Sequence, residues 1–277
     1  MKNLFSLLFI LLSINASAQY YNNVVITDVN FFIVNSDANK SIRAADAETL
    51  KKNMVREVKI KNSEGKITRQ LLVNQMGYIE TYAIFDDVTE LLQQEYRFGY
   101  DPDNNLVSCT VKGDEISLSH TLTYENGMLA SVDVDSLGYL TKYNIARDSS
   151  GRILKATLLN QEGWELQKYI YRYHSENLVE EITNEENSTA YYTFIYQKNR
   201  MKYYLPFSNV DEYEFKDDRI TKEERTFPLK SYLSRKPLNI KITKKYFYKK
   251  NGLIDYIKIT ESNKRTTKEI YEYGYFD

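Results

Sequence analysis

The stretch that decides the fold is Asp148-Ser149-Ser150-Gly151-Arg152-Ile153-Leu154, followed a dozen residues later by Asn160-Gln161-Glu162-Gly163-Trp164. Each half is a polar turn closed by glycine, and an aliphatic run lies between them. Glycine tolerates the positive φ that tight hairpin turns need, so the pattern reads as turn, strand, turn. Working outward, the same spacing recurs. The intervals from Gly65 to Gly77, Gly127 to Gly138 and Gly151 to Gly163 are 12, 11 and 12 residues, and Gly127 to Gly151 is 24. One strand plus one turn fits the shorter interval, and a hairpin pair fits the longer one.

Two interleaved glycine series carry the repeat. One places an aromatic after the glycine and ends its strand on tyrosine: Gly77-Tyr78 to Tyr82, Gly138-Tyr139 to Tyr143, Gly163-Trp164 to Tyr169. The other has Gly65-Lys66-Ile67, Gly127-Met128-Leu129, Gly151-Arg152-Ile153 and Gly252-Leu253-Ile254. Asn126-Gly127 and Asn251-Gly252 are strong hairpin signals. Degenerate copies, such as Tyr100 to Leu106 and Tyr248 to Leu253, put an aromatic before the turn and an aliphatic after it. Side chains alternate between faces after each turn: in 240–248, Ile240, Ile242, Tyr246 and Tyr248 share one face, and Lys241, Thr243, Lys245 and Phe247 the other. The spacing stretches between Ile220 and Tyr248, where Pro228 and Pro237 fall, and 225–238 reads as an inserted loop.

Composition agrees. The chain of 277 residues holds 25 Tyr and 12 Phe but only 4 Pro, an aromatic enrichment suited to pleated, half-buried surfaces. Only Arg43 to Met54 reads as a helix, with Leu50 and Met54 at i,i+4. The expected architecture is all-β: an elongated antiparallel sheet or spiral of repeated β-hairpins with a short N-terminal helical element. Residues 1–18 read as a signal peptide: Lys2, the apolar run Leu4 to Ile14, and Ala16-Ser17-Ala18 ahead of Gln19. The run is too short to cross a bilayer, and no cysteine marks a lipidation site. Residues 19–54, with Val24 to Val34 as strand, form an N-terminal capping segment that should lie across the first hairpin. Residues 55–277 form the hairpin repeat domain. Its exposed edges would need such a cap.

The residues from Asp148 to Gly163, with the literal Tyr100-Asp101 pair, resemble the YD-repeat, or RHS-like, family. That repeat joins an aromatic-Asp turn to Gly-Arg-aliphatic and a second glycine about a dozen residues later. The likeness runs from about Val55 to the C-terminus, with two or three good copies; MORN-type hairpin arrays share the turn glycines. It implies architecture more than activity. Members are often large shells or surface proteins, some carrying toxins. This chain has too few repeats for a large shell and no toxin domain.

Chemistry is sparsely signalled. The sole cysteine, Cys109, excludes an intrachain disulfide, and with His120 and His174 it offers no metal-ligand spacing. Asp101 and Asp133 begin calcium-loop-like runs, but Lys112 and Asn144 stand where the twelfth-position Glu is required. There is no Gly-x-Ser-x-Gly elbow and no phosphate-cradling glycine loop. No cofactor is expected. Acidic residues are abundant, so a carboxylate pair for glycoside hydrolysis stays open.

Charge is unevenly placed: residues 1–196 carry 18 basic and 26 acidic side chains, residues 197–277 carry 19 and 12. Residues 225–254 hold nine basic side chains and no acid, a stretch that could meet an anionic surface, although nucleic acid is not expected. The binding candidates are the aromatics after the turn glycines: Trp164, Tyr139 and Tyr78. On one exposed face they would form a stacking platform for a glycan or peptide; as cross-strand packing they would be structural. The expected function is an exported, periplasmic, cell-surface or extracellular, non-catalytic binding or scaffold module; the sequence does not name its partner, for which a glycan and a cell-envelope protein are the candidates. The alternative is a carbohydrate-active enzyme or a glycan-binding protein.

Overall fold

The computed structural model describes residues 47–103, 105–113, 116–175, 178–185, 190–197, 200–204, 210–216, 219–229, 238–262 and 265–277. The signal-peptide residues, Val24 to Val34 and most of the 19–54 segment lie outside them. One short helix, α1 (Ala47–Lys52), comes first. Then follow β1 (Val55–Lys61), β2 (Ile67–Val73), β3 (Ile79–Phe85), β4 (Leu92–Tyr100), β5 (Leu106–Gly113) and β6 (Ile116–Glu125). The middle third holds β7 (Met128–Ser136), β8 (Tyr139–Arg147), β9 (Ile153–Asn160), β10 (Glu165–Ser175), β11 (Leu178–Asn184) and β12 (Ala190–Gln197). The last third holds β13 (Arg200–Tyr204), β14 (Val210–Lys216), β15 (Arg219–Leu229), β16 (Leu238–Tyr248), β17 (Ile254–Glu261) and β18 (Thr266–Tyr275).

The all-β architecture of antiparallel hairpins behind a short helix is the expected one. Every strand pairs with the next in the chain, as in β6 with β7, β8 with β9 and β9 with β10. The pairing adds a feature that the repeat did not announce. β1 pairs with β2 on one side and with β18 on the other, Val58 meeting Tyr273 and Lys59 meeting Glu272. β18 therefore occupies the second edge of β1. A second difference lies at 225–238. Residues 225–229 extend β15 and pair with 238–242 of β16, Pro228 opposite Asn239, so the inserted loop is shorter than the prolines suggested.

The turns follow the glycine reading. Gly127, Gly138, Gly151 and Gly163 all have positive φ, between 72° and 86°. At Asp148 the hairpin is closed by a three-residue loop: the Gly151 amide donates to the Asp148 carbonyl (3.0 Å), and the Asp148 amide to the Arg152 carbonyl (2.8 Å). The Asp148 carboxylate accepts from the Ser150 hydroxyl at 2.6 Å and Arg152 Nε at 2.7 Å. Those bonds, Ser150 first, hold it well below the usual carboxylate range. At β3–β4 there is no glycine. Asp86 closes that turn instead, accepting from the amides of Val88 and Thr89 at 3.0 and 2.7 Å.

Alternation sorts the side chains. One face of the ladder gathers a single continuous core that includes Val58, Leu71, Tyr82, Tyr96, Val132, Tyr143, Tyr169, Tyr213 and Ile257. The tyrosine that ends a strand has a second task. Tyr100, Tyr124, Tyr173 and Tyr273 each donate a hydroxyl to the first carbonyl of the preceding strand, at Ile79, Leu106, Ile153 and Ile254, over 2.8–3.0 Å. Tyr248 donates likewise to Ile220, the second residue of β15, at 2.7 Å. At the β8 position the residue is Arg147, whose guanidinium reaches the Leu129 carbonyl at 2.9 Å.

The opposite face carries charge at mid-strand. Glu57 and Lys59 pair at 3.2 Å, Glu95 and Arg97 at 2.5 Å, Asp133 and Lys142 at 3.7 Å. A lipid-spanning barrel needs an outward apolar band there instead. No helix among the described residues is long and apolar enough to cross a membrane.

Because the strands run up and down, turns after even-numbered strands fall at one end and turns after odd-numbered strands at the other. α1 lies at the first end. Leu50 is fully buried in the core, and Asn53 donates to the Asn251 carbonyl in the β16–β17 turn at 3.2 Å. In the β2–β3 turn, a side chain on Gly77 would run into the Ala47 carbonyl. We call this the helix end and the other the open end.

Candidate functional site

Two features stand at the open end: an apolar rim and a charged cavity. The rim draws on three hairpins, of which β7–β8 and β9–β10 are neighbours and β3–β4 lies one hairpin further along. Val88 and Leu91 lie in the β3–β4 turn, Leu92 starts β4, Leu137 lies in the β7–β8 turn, and Tyr139 and Leu140 start β8. Trp164 and Leu166 flank the start of β10. All eight are exposed large apolar side chains. The most exposed are Leu137 (76%), Tyr139 (75%), Trp164 (72%) and Val88 (71%). Leu137 also has φ 56°, a left-handed backbone that a bulky side chain adopts only at a cost.

The structure divides the three predicted aromatics. Tyr139 and Trp164 share the open rim on hairpins joined by the β8–β9 pairing, where Thr141 faces Asn160. Asn160 fixes the Trp164 backbone, its side-chain oxygen accepting from the Trp164 amide at 2.8 Å. Tyr78 is on the β2–β3 turn at the helix end. Its ring packs against Tyr100 at 5.2 Å, so it is a half-buried packing residue remote from the other two, and no single platform of three exists. The rim leucines were not in the sequence reading; their exposure follows from turn geometry rather than residue type.

The cavity has a volume of ≈ 640 Å³ and is lined by the β1–β2 turn, β2, β3 and β15–β18. Around it, Arg69 and Glu269 pair at 2.6 Å, both largely buried. Burial opposes the Arg69 charge, and Glu269 more than restores it, so the guanidinium is held above its usual range. Arg225 makes two bonds to the fully buried Asp211, at 2.9 and 3.1 Å. Glu223 accepts from the Tyr246 hydroxyl at 2.8 Å. Burial, reinforced by Glu223, pushes the Tyr246 phenol well up. Tyr82, Ile84 and Ile242 supply apolar wall.

The basic stretch 225–254 does not form one surface. Arg225 and Lys244 line the cavity, Lys241 pairs with Glu224 at 3.0 Å on the outer face, and Lys249 sits over the Tyr273 ring at 4.9 Å. Lys230, Arg235 and Lys236 lie outside the described residues. Of the remaining candidate ligands, Cys109 and His120 are buried cross-strand partners in β5 and β6. Burial lowers His120 to a pKa of about 4. The described residues hold no cluster of three or more metal-ligating side chains.

No protein-family profile matches the chain, and no curated protein matches it by sequence. Among solved structures it is similar to a porin-like protein from Bacteroides uniformis, at 11% identity and TM-score 0.42, covering 80% of this chain and 97% of that one. A second porin-like protein, from Bacteroides vulgatus, aligns at 5% identity and TM-score 0.24 over 71% of this chain and 98% of that one. The Tc holotoxin pore of Photorhabdus luminescens aligns at 12% identity and TM-score 0.21, over 73% of this chain but 11% of the toxin chain.

Proposed function

We propose that this chain is an exported, non-catalytic binding module of the bacterial cell envelope or secreted fraction, built from degenerate YD-type hairpins, and that its open rim is the contact surface for a glycan chain. One observation carries the reading: the most exposed apolar side chains of neighbouring hairpins, Leu137, Tyr139 and Trp164, gather at one rim. Scattered exposed leucines need no explanation, but an indole and a phenol both left bare on hairpins joined through β8–β9 do. Flat aromatic faces bring large contact area at small entropic cost, which suits stacking on a ring-shaped partner. Leu137 adds backbone strain to its exposure, and strain is retained where function uses it. The N-terminal Lys2, apolar run and Ala16-Ser17-Ala18 support export.

The test is a calorimetric titration of the chain from Gln19 with envelope-derived oligosaccharides, with the tryptophan fluorescence of the parent and of Tyr139→Ala as a second readout. Trp164 is the sole tryptophan, so its signal reports the rim directly. Binding should fall at least about tenfold in Trp164→Ala and several-fold in Tyr139→Ala, as for aromatic hot spots. Binding that ignores both substitutions would remove the rim from the account. Turnover of an oligosaccharide that disappears in Glu223→Gln would overturn the non-catalytic reading.

A further inference from the structure

We propose that the open-end cavity is a second, separate binding site that takes a small organic anion, its charged group held by Lys244. Lys244 lies mid-strand on β16, lines the cavity and is only 8% exposed. The other buried charges are satisfied: Arg69 by Glu269, Arg225 by Asp211. Glu223 faces Lys244 across the β15–β16 ladder, yet its carboxylate is turned to the Tyr246 hydroxyl. Lys244 makes no ion pair or hydrogen bond with any described residue. The side chain is held inward and its ammonium is left to the cavity space, where an anion can reach it.

The cavity suits such a ligand in size and shape. Its ≈ 640 Å³ falls in the usual range for small-molecule sites, about 300–1,000 Å³. Register places Lys244 one step deeper than the Arg225–Ile242 pair. Below it the buried rings of Tyr213, Tyr246 and Tyr271 close the core. An entering molecule thus meets apolar wall from Ile84 and Ile242 along its body, and a cation at the inner end. A single-ring sugar acid, or a comparable carboxylate, sulfate or phosphate ester, has that form. The polar atoms of the two neighbouring ion pairs stand ready for its hydroxyls.

The full chain from Gln19 should be melted in glucuronate, sulfate and inorganic phosphate, each against sodium chloride of equal ionic strength and against neutral glucose. At least one of the three anions should raise the melting temperature, and the one that does identifies the head group. Calorimetric titration of that anion should show a loss of at least about tenfold in Lys244→Met. Lys245→Met makes the same charge change on the outer face and should titrate like the parent. Methionine is close to lysine in length and fits an inward position, so Lys244→Met should fold and melt near the parent without ligand. Lys244→Arg keeps the charge and should keep binding. The proposal falls if no anion exceeds the salt control, or if Lys244→Met binds as the parent does.

Discussion

Tyr124 shows how one side chain does two jobs in this fold. Its ring packs against the core and its hydroxyl reaches the Leu106 carbonyl at 3.0 Å. Removing the hydroxyl leaves a sheltered carbonyl without that donor, which costs about 1 kcal/mol. Tyr124→Phe should therefore shift the urea midpoint down with an unchanged slope, and Tyr100→Phe and Tyr173→Phe should do likewise. Leu137 predicts the opposite sign. At φ 56° an asparagine is better tolerated than leucine, so Leu137→Asn should stabilise the protein by about 1 kcal/mol while weakening rim binding. A variant that is both less stable and equally good at binding would contradict this. His120 ties stability to pH. It has a folded pKa of about 4, against an ordinary 6.5, so the unfolded chain binds the extra proton between those values. The neutral ring's contribution is complete above pH 6.5 and is lost as pH falls towards 4, about 3 kcal/mol in all. Denaturation at stepped pH should show this slope, and His120→Leu should flatten it.

At the scale of elements, the hairpins were legible because glycine and alternation report backbone directly. Gly151 and its counterparts sit at bends. Ile242 and Tyr246 face inward and Lys241 and Lys245 outward, as period two demands. Two things were hidden. The β3–β4 turn uses Asp86 rather than glycine, so a count of glycine turns misses a reversal, and with it the fact that Tyr78 and Tyr139 lie at opposite ends. Lys244 falls on the inward parity of β16, but its charge disguised a buried position. The prolines at 228 and 237 suggested a long loop, whereas proline is tolerated where β15 runs out beyond its β14 neighbour. The ion pairs that cross strands also escape sequence reading, because nothing local announces a partner 200 residues away. Glu269→Ala should remove the carboxylate paired with the largely buried Arg69 and destabilise by about 3–5 kcal/mol. A loss under 1 kcal/mol, read from urea unfolding, would show that solvent reaches the pair.

At the scale of the molecule, the central claim is that a run of glycine-paced hairpins ends by pairing its last strand with its first. This pairing removes the edge at β1 that would otherwise invite other chains, and it brings β18, β1 and β2 together around the cavity. It also joins residues more than 200 positions apart, which makes it the pairing least dictated by local sequence. Lys59 of β1 tests it well, since it faces Glu272 of β18 on one side and Gln70 of β2 on the other. The measurement is intramolecular disulfide formation under mild oxidation in Lys59→Cys/Glu272→Cys, with Lys59→Cys/Gln70→Cys as the local reference; the buried Cys109 should stay out of the reaction. The account predicts a monomeric cross-linked product from both pairs. Cross-linking of the Gln70 pair alone, with the Glu272 pair remaining reduced or forming dimers, would contradict it.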